Sequence, residues 1–249
     1  MNGDFTCGKV YLVGAGPGDP RLITLRAMDC LKQAEIVLFD YLVNPEILDH
    51  APKSAELIPL GHHQRGSGMS PERIIEKMVV AAREGKTVVR LKNGDPVIFA
   101  RFAEEKAALD EASVPFEIVP GVTAGLAAAA SAEIPLTHGW TSSAVALVTG
   151  HERDDKSAPA LDYAALARFP GTLVFYMGVS TAPLWSAALI NAGKSPDTPA
   201  AIVRRCSWDD EEIVFCTLAT VADVVSTRSI RPPAVILVGD VAEGARKDE

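Results

Sequence analysis

VYLVGAGPGDPRLITLRA, spanning Val10–Ala27, passes from a strand pattern through a glycine-rich loop into a helix pattern. Val10–Val13 is a short β-branched and aliphatic run closed by Gly14, as a buried strand would be, and Leu22–Lys32 carries apolar residues at helical spacing. A glycine loop in this position commonly cradles a nucleotide, and Asp40 sits where a dinucleotide site would place its ribose carboxylate. The spacing opposes that use. A GxGxxG loop starting at Gly14 needs a glycine where the chain has Asp19, whose carboxylate would repel a pyrophosphate at the helix mouth. Pro17 removes one N–H donor, and no Gly-Lys-Ser or Gly-Lys-Thr follows to make a P-loop. Locally, the segment predicts a tight turn with Asp19 capping a helix that begins at Pro20.

Outward from this stretch the alternation continues. Ile36–Phe39, Thr87–Leu91 and Phe116–Val119 read as buried strands, with Pro71–Arg83 and Phe102–Glu111 as helices. Crossover connections of this kind predict a mainly parallel sheet. From about Thr141 the texture changes. Val145–Thr149, Leu173–Met177, Ala200–Val203, Ile213–Thr217 and Ala234–Val238 are strand-like, while Leu161–Arg168, Ala182–Ala192 and Ala219–Thr227 are helical. Arg204–Glu212 has no apolar helix face, so the strands beside it are expected to form an antiparallel hairpin. The fold class is therefore α/β with two α/β domains, 1–135 and 136–249. The small-residue helix within Gly121–Ala132 is assigned to the first, and the active-site cleft is expected between them.

Composition removes several function classes. The 249 residues carry a formal net charge of −8, against the basic surface a nucleic-acid binder needs. No apolar run approaches the roughly 18–20 residues of a membrane span. Met1–Gly8 lacks the basic and apolar regions of a secretory signal. Cys7, Cys30, Cys206 and Cys216 form no CxxC pair, which fits reduced thiols and opposes a disulfide framework or zinc site. No metal is expected, His62-His63 lacking partners at ligand spacing.

The loop joins a longer series: FDYLVNPEIL (Phe39–Leu48), VVRLKNGDPVIF (Val88–Phe99), PFEIVPGVTAGLAAAA (Pro115–Ala130), IPLTH (Ile134–His138), VTGHE (Val148–Glu152), VFYMG (Val174–Gly178) and PPAVILVGDV (Pro232–Val241). In this order and spacing the chain resembles the tetrapyrrole methylase family, and within it the uroporphyrinogen-III C-methyltransferases. The resemblance runs from about residue 9 to residue 243. It implies a cytoplasmic homodimer that uses S-adenosylmethionine to methylate uroporphyrinogen III at C2 and C7, giving precorrin-2. It further implies a cofactor resting on Pro17, on Asn93-Gly94-Asp95 with Ile98, on Thr123-Ala124, on Met177 and near Cys206. The residue types suit this: glycine lets backbone approach a ligand, an aspartate receives hydroxyl or ammonium groups, and methionine makes an adaptable wall.

Asp40 is implied as the base that removes the ring proton after methyl transfer, and a structural carboxylate capping the next turn is the competing reading. The eight carboxylates of the substrate call for cations: Arg65, Arg90, Lys92, Arg101 and Arg153, with His62, His63, His138 and His151, fall at strand ends or in loops. Three positions depart from the family. His62 replaces a lysine proposed as proton donor, Asn93 replaces the first glycine of Gly-Gly-Asp-Pro, and Phe102-Ala103 replace the glycines of Gly-Arg-Gly-Gly-Glu-Glu. A methylase of a later precorrin, a nicotinamide-dependent dehydrogenase and an inactive cofactor-binding relative are the alternatives.

Overall fold

In the computed structural model, which describes residues 7–61, 68–152 and 160–243, the opening run forms β1 (Val10–Gly14). Four more strands join it in parallel: β2 (Ile36–Phe39), β3 (Glu56–Pro59), β4 (Val88–Lys92) and β5 (Phe116–Val119). The order across the sheet is β3-β2-β4-β1-β5. The two-residue period of a strand sorts its side chains onto two faces. Tyr11, Val13, Val37, Val89 and Leu91 pack with Ala27, Cys30 and Leu31 of α1 (Leu25–Lys32). Val10, Leu12, Leu38 and Val88 pack with Ile74 and Met78 of α2 (Pro71–Arg83) and Leu109 of α3 (Phe102–Glu111). Cover on both faces explains why β1 and β2 read as continuous apolar runs.

Two sequence expectations change here. The helix expected over Leu22–Lys32 is split. A 3-10 turn, Pro20–Leu22, is capped by Asp19, and α1 starts only at Leu25, where Thr24 Oγ1 accepts from the Ala27 N–H at 3.1 Å. Strand β3 was not anticipated. It is a mostly exposed edge strand closed by a proline, so it lacks the buried apolar pattern that betrays a central strand.

The second unit contains α4 (Ala124–Ser131), β6 (Val145–Thr149), α5 (Tyr163–Ala167), β7 (Thr172–Tyr176), α6 (Ala182–Asn191), β8 (Pro199–Arg204), β9 (Glu212–Thr217), α7 (Val221–Thr227) and β10 (Ala234–Val238). The sheet order is β6-β7-β10-β8-β9. β6 and β7 are parallel, and β10 and β8 then alternate in direction, which leaves β8 running the same way as β7. β8 and β9 form the expected antiparallel hairpin. Phe175 stacks on Trp185 at 4.1 Å between ring centroids at the centre of this core.

The compact units are Met1–Thr123 and Ala124–Glu249, so the division falls earlier than the expected 135/136. Helix α4 accompanies the second sheet, packing on β7 and β10. Gly125 shows why. Its N–H donates to Tyr176 Oη at 2.8 Å, and a Cβ at this position would meet that oxygen at 2.4 Å.

Candidate active site

All five strands of the first sheet run in parallel, so their C-terminal ends share one edge. The turns after β1, β4 and β5 meet there. Gly16 and Gly94 exchange N–H···O bonds of 3.1 and 2.8 Å, and Ala15 N–H donates to Lys92 O at 2.8 Å. The left-handed residue of the β4 turn is Gly94 (φ 67°), so Asn93 replaces a glycine where that conformation is not required. Asp95 ties the turns together, its Oδ1 accepting from Val97 N–H at 2.9 Å and its Oδ2 from Gly121 N–H at 3.0 Å. Packing is close enough that a Cβ on Gly121 would sit 2.2 Å from Gly94 O. Pro17 and Thr123 are buried at this edge and Ile98 is half-buried. The structure thus gathers Pro17, Asn93, Gly94, Asp95, Ile98 and Thr123.

Asp40, immediately after β2, lies at the same edge. Its backbone N–H donates to Leu91 O at 3.1 Å, and its Oδ2 accepts a long bond, 3.4 Å, from Asn93 N–H. Oδ1 pairs with Arg90 Nη2 at 2.6 Å. Arg90 and Lys92 are two apart on β4 and therefore share a face. Arg90 Nε contacts Glu105 Oε1 of α3 at 3.0 Å, and Lys92 Nζ contacts Glu105 Oε2. Burial alone would lower the Arg90 pKa, but the carboxylates of Asp40 and Glu105 outweigh it and hold the guanidinium above its usual value. For Lys92, burial and then the neighbouring Arg90 push the pKa down against the pull of Glu105. Lys92, expected among the cations facing substrate, is 1% exposed and its charge is satisfied inside the fold.

Between the β4 turn and α3, Phe99 (φ 50°) and Arg101 (φ 52°) both adopt the left-handed conformation, which is costly for residues with a side chain. Two such residues in one short segment form a held loop that presents Arg101 to solvent. Phe102 and Ala103 begin α3, where ordinary helical geometry suffices, and Phe102 packs against the core under α2 and α3. The glycines missing here are therefore replaced without backbone conflict.

In the second unit the C-terminal ends of β7 and β8 share an edge. Met177, directly after β7, is left-handed (φ 55°) and 46% exposed. Cys206 lies between two left-handed residues, Arg205 (φ 49°) and Ser207 (φ 64°), and its Sγ contacts Ala124 O at 3.7 Å. Burial pushes this thiol up to about 12. Ala124, Met177 and Cys206 are thus brought to one edge. His138 is not. It precedes β6 in a small loop closed by N–H···O bonds with Ser142 of 2.8 and 3.0 Å, and Ser142 Oγ lies 2.9 Å from Thr172 Oγ1 at the start of β7. That is the opposite edge of the sheet.

His62 and Arg65 lie outside the described residues. Sequence reading did not single out Glu105 or Tyr176. Tyr176 was visible in VFYMG, yet the signal for its hydroxyl lay far away in Gly125. Glu105 was legible only as a helix residue of ordinary charge. Among the described residues, no group of three His, Cys, Asp or Glu side chains could hold a metal ion.

Residues 9–222 match the family model for the tetrapyrrole (corrin/porphyrin) methylases. The chain belongs to the tetrapyrrole methylase family. It is 43% identical over 241 residues to an S-adenosyl-L-methionine-dependent uroporphyrinogen III methyltransferase of Methanosarcina barkeri, covering 97% of this chain and 94% of the relative. A solved cobalt precorrin-4 methyltransferase superposes with a TM-score of 0.84 at 35% identity, covering 94% of this chain and 95% of that one. Uroporphyrin-III C-methyltransferase from Thermus thermophilus, complexed with S-adenosyl homocysteine, gives 0.80 at 38% identity, covering 95% and 94%.

Proposed function

We propose that this chain is an S-adenosylmethionine-dependent methyltransferase that converts uroporphyrinogen III to precorrin-2. The observation that carries the reading is the shared edge of the first sheet: the glycine loop, Asp40 and the Asn93-Gly94-Asp95 turn, widely separated in sequence, converge there through parallel strands. Open α/β sheets bind ligands beyond such strand ends.

The residues present suit the cofactor. Gly14, Gly94 and Gly121 bring backbone to the edge without side chains, Asp95 offers carboxylate oxygens, and Met177 exposes an apolar thioether. Pro17, Asn93, Gly94, Asp95, Ile98 and Thr123 of the first unit, with Ala124, Met177 and Cys206 of the second, are the proposed cofactor contacts. S-adenosylmethionine supplies a methyl group activated by a positive sulfur, so the protein's task is to align donor and acceptor. Asp40 takes the proton released from the methylated ring carbon. Arg101 and Arg65 bind substrate carboxylates, and His62 stands in for the family's lysine as proton donor. A cytoplasmic homodimer belongs to the same proposal.

Release of S-adenosylhomocysteine on incubation with uroporphyrinogen III and S-adenosylmethionine tests the activity; no release would overturn it. Calorimetry with S-adenosylhomocysteine against NAD tests the cofactor. The higher TM-score to the cobalt precorrin-4 enzyme favours a second reading, methylation of a later precorrin, though sequence identity ranks that structure below the Thermus thermophilus enzyme. Competition between the two substrates in one assay decides between them.

A further inference from the structure

Asp40, Arg90, Glu105 and Lys92 form a chain of alternating charge in the first unit. The side chains of Arg90, Glu105 and Lys92 are 6%, 7% and 1% exposed, whereas Asp40 is 29% exposed. Only the last link of a buried network thus reaches solvent. Arg90 presents Nε to Glu105 and Nη2 to Asp40, while its Nη1 donates to Leu91 O at 3.1 Å. A guanidinium is a rigid planar fork, so fixing its Nε edge fixes the direction of its other donors. Glu105 is itself held by Lys92 and by the first part of α3, directly after the left-handed Phe99 and Arg101.

We propose that Glu105 is a positioning residue for the methylation reaction, acting on Asp40 through Arg90. Glu105 orients the guanidinium, the guanidinium engages Oδ1 of Asp40, and Oδ2 is left with one long N–H contact and room to take the proton. The inference rests on the assignment of Asp40 as the base. Lys92 neutralises Glu105 from its far side, so the quartet carries two positive and two negative groups and no net charge.

The test is steady-state kinetics with uroporphyrinogen III alongside calorimetry with S-adenosylhomocysteine. Glu105→Ala frees the guanidinium and lowers kcat by about tenfold to a hundredfold, the scale of a small misplacement of a reacting group. KM for uroporphyrinogen III and affinity for S-adenosylhomocysteine stay within about twofold. Glu105→Gln keeps an oxygen for Arg90 Nε and recovers most of kcat. Should Glu105→Ala fail to fold, kcat is read from Glu105→Ala/Lys92→Met, which leaves the Arg90–Asp40 pair electrically balanced. In the Asp40→Asn background, Glu105→Ala produces no further loss, because its effect passes through Asp40. Wild-type kcat in folded Glu105→Ala protein overturns the proposal alone, as do losses that multiply in the double variant. Full turnover by Asp40→Asn overturns the assignment of Asp40 and the proposal with it.

Discussion

Arg90 Nη2 reaches Asp40 Oδ1 at 2.6 Å across two neighbouring strands, from a guanidinium that is 6% exposed to a carboxylate that is 29% exposed. The pair straddles the boundary between core and edge. Asp40 therefore has a structural duty, accepting a hydrogen bond from a buried guanidinium, and a chemical one, carrying an oxygen that can take a proton at the edge where the turns converge. Substitutions that keep the first and remove the second tell them apart.

Asp40→Asn is such a substitution, since the amide oxygen still accepts from Arg90 while the side chain no longer takes a proton. Turnover with uroporphyrinogen III falls by roughly a hundredfold, the ordinary scale for a lost general base. S-adenosylhomocysteine affinity, measured by calorimetry, changes by less than about twofold on the uniform-binding argument. Unaltered turnover would make Asp40 a structural partner of Arg90 and nothing more.

Removing Glu105 leaves Arg90 and Lys92 facing each other in the core with one anion fewer. Breaking a buried pair in this way costs about 3–5 kcal/mol. Urea unfolding of Glu105→Ala shows that loss, and Lys92→Met added to it recovers most of the stability by removing the surplus cation. Equal instability of the single and double variants would assign the loss to packing of α3.

Gly121→Ala tests the convergence of the three turns. The new Cβ would lie 2.2 Å from Gly94 O, a backbone atom that moves only with its whole turn. A strained backbone of this kind costs about 1–3 kcal/mol, and the displaced β4 turn lowers S-adenosylhomocysteine affinity by at least about tenfold. Calorimetry showing wild-type affinity would place the cofactor away from these turns.

The cysteines separate by accessibility. Cys7 is exposed, whereas Cys30, Cys206 and Cys216 are buried. Iodoacetamide at pH 8 alkylates Cys7 in the folded protein and spares the others until denaturant is added, as peptide mass spectrometry will show. Cys206 adds a pH dependence. Its folded pKa is pushed up to about 12 by burial from an ordinary 9.0, so above pH 9 the unfolded chain loses a proton that the folded chain keeps. This contribution is fully present below pH 9 and is lost towards pH 12, at up to about 1.4 kcal/mol per pH unit. Cys206→Ala should flatten that alkaline decline; an identical slope would sink the assignment.

Much of this molecule was legible because its pattern is local. Val10–Val13 and Ile36–Phe39 are apolar and short because the first sheet is covered on both faces there, whereas Phe116–Val119, also expected to be buried, is an edge strand with Glu117 and an exposed Ile118. The hairpin of β8 and β9 follows from the polar stretch between them. Asp19 could be read as a cap from its neighbour Pro20. What escaped depended on distant partners. Nothing in Glu56–Pro59 announces an edge strand, and α4 is assigned to the second unit by the contact of Gly125 with Tyr176. The cations show the same limit from the other side. Lys92 and Arg101 look alike as charged residues near strand ends, but one is spent on Glu105 and the other faces solvent. His62, the departure with the plainest chemical meaning, lies outside the described residues.

The reciprocal bonds between Gly16 and Gly94 bear on motion as well as shape. Together with the Ala15–Lys92 bond beside them, they clamp two segments almost eighty residues apart in the chain, so neither can swing open while the other stays shut. Loosening of the glycine loop would be felt at once by the residue after Asn93. Their amides would then exchange with solvent in one event, making the rim of the first sheet a single kinetic unit.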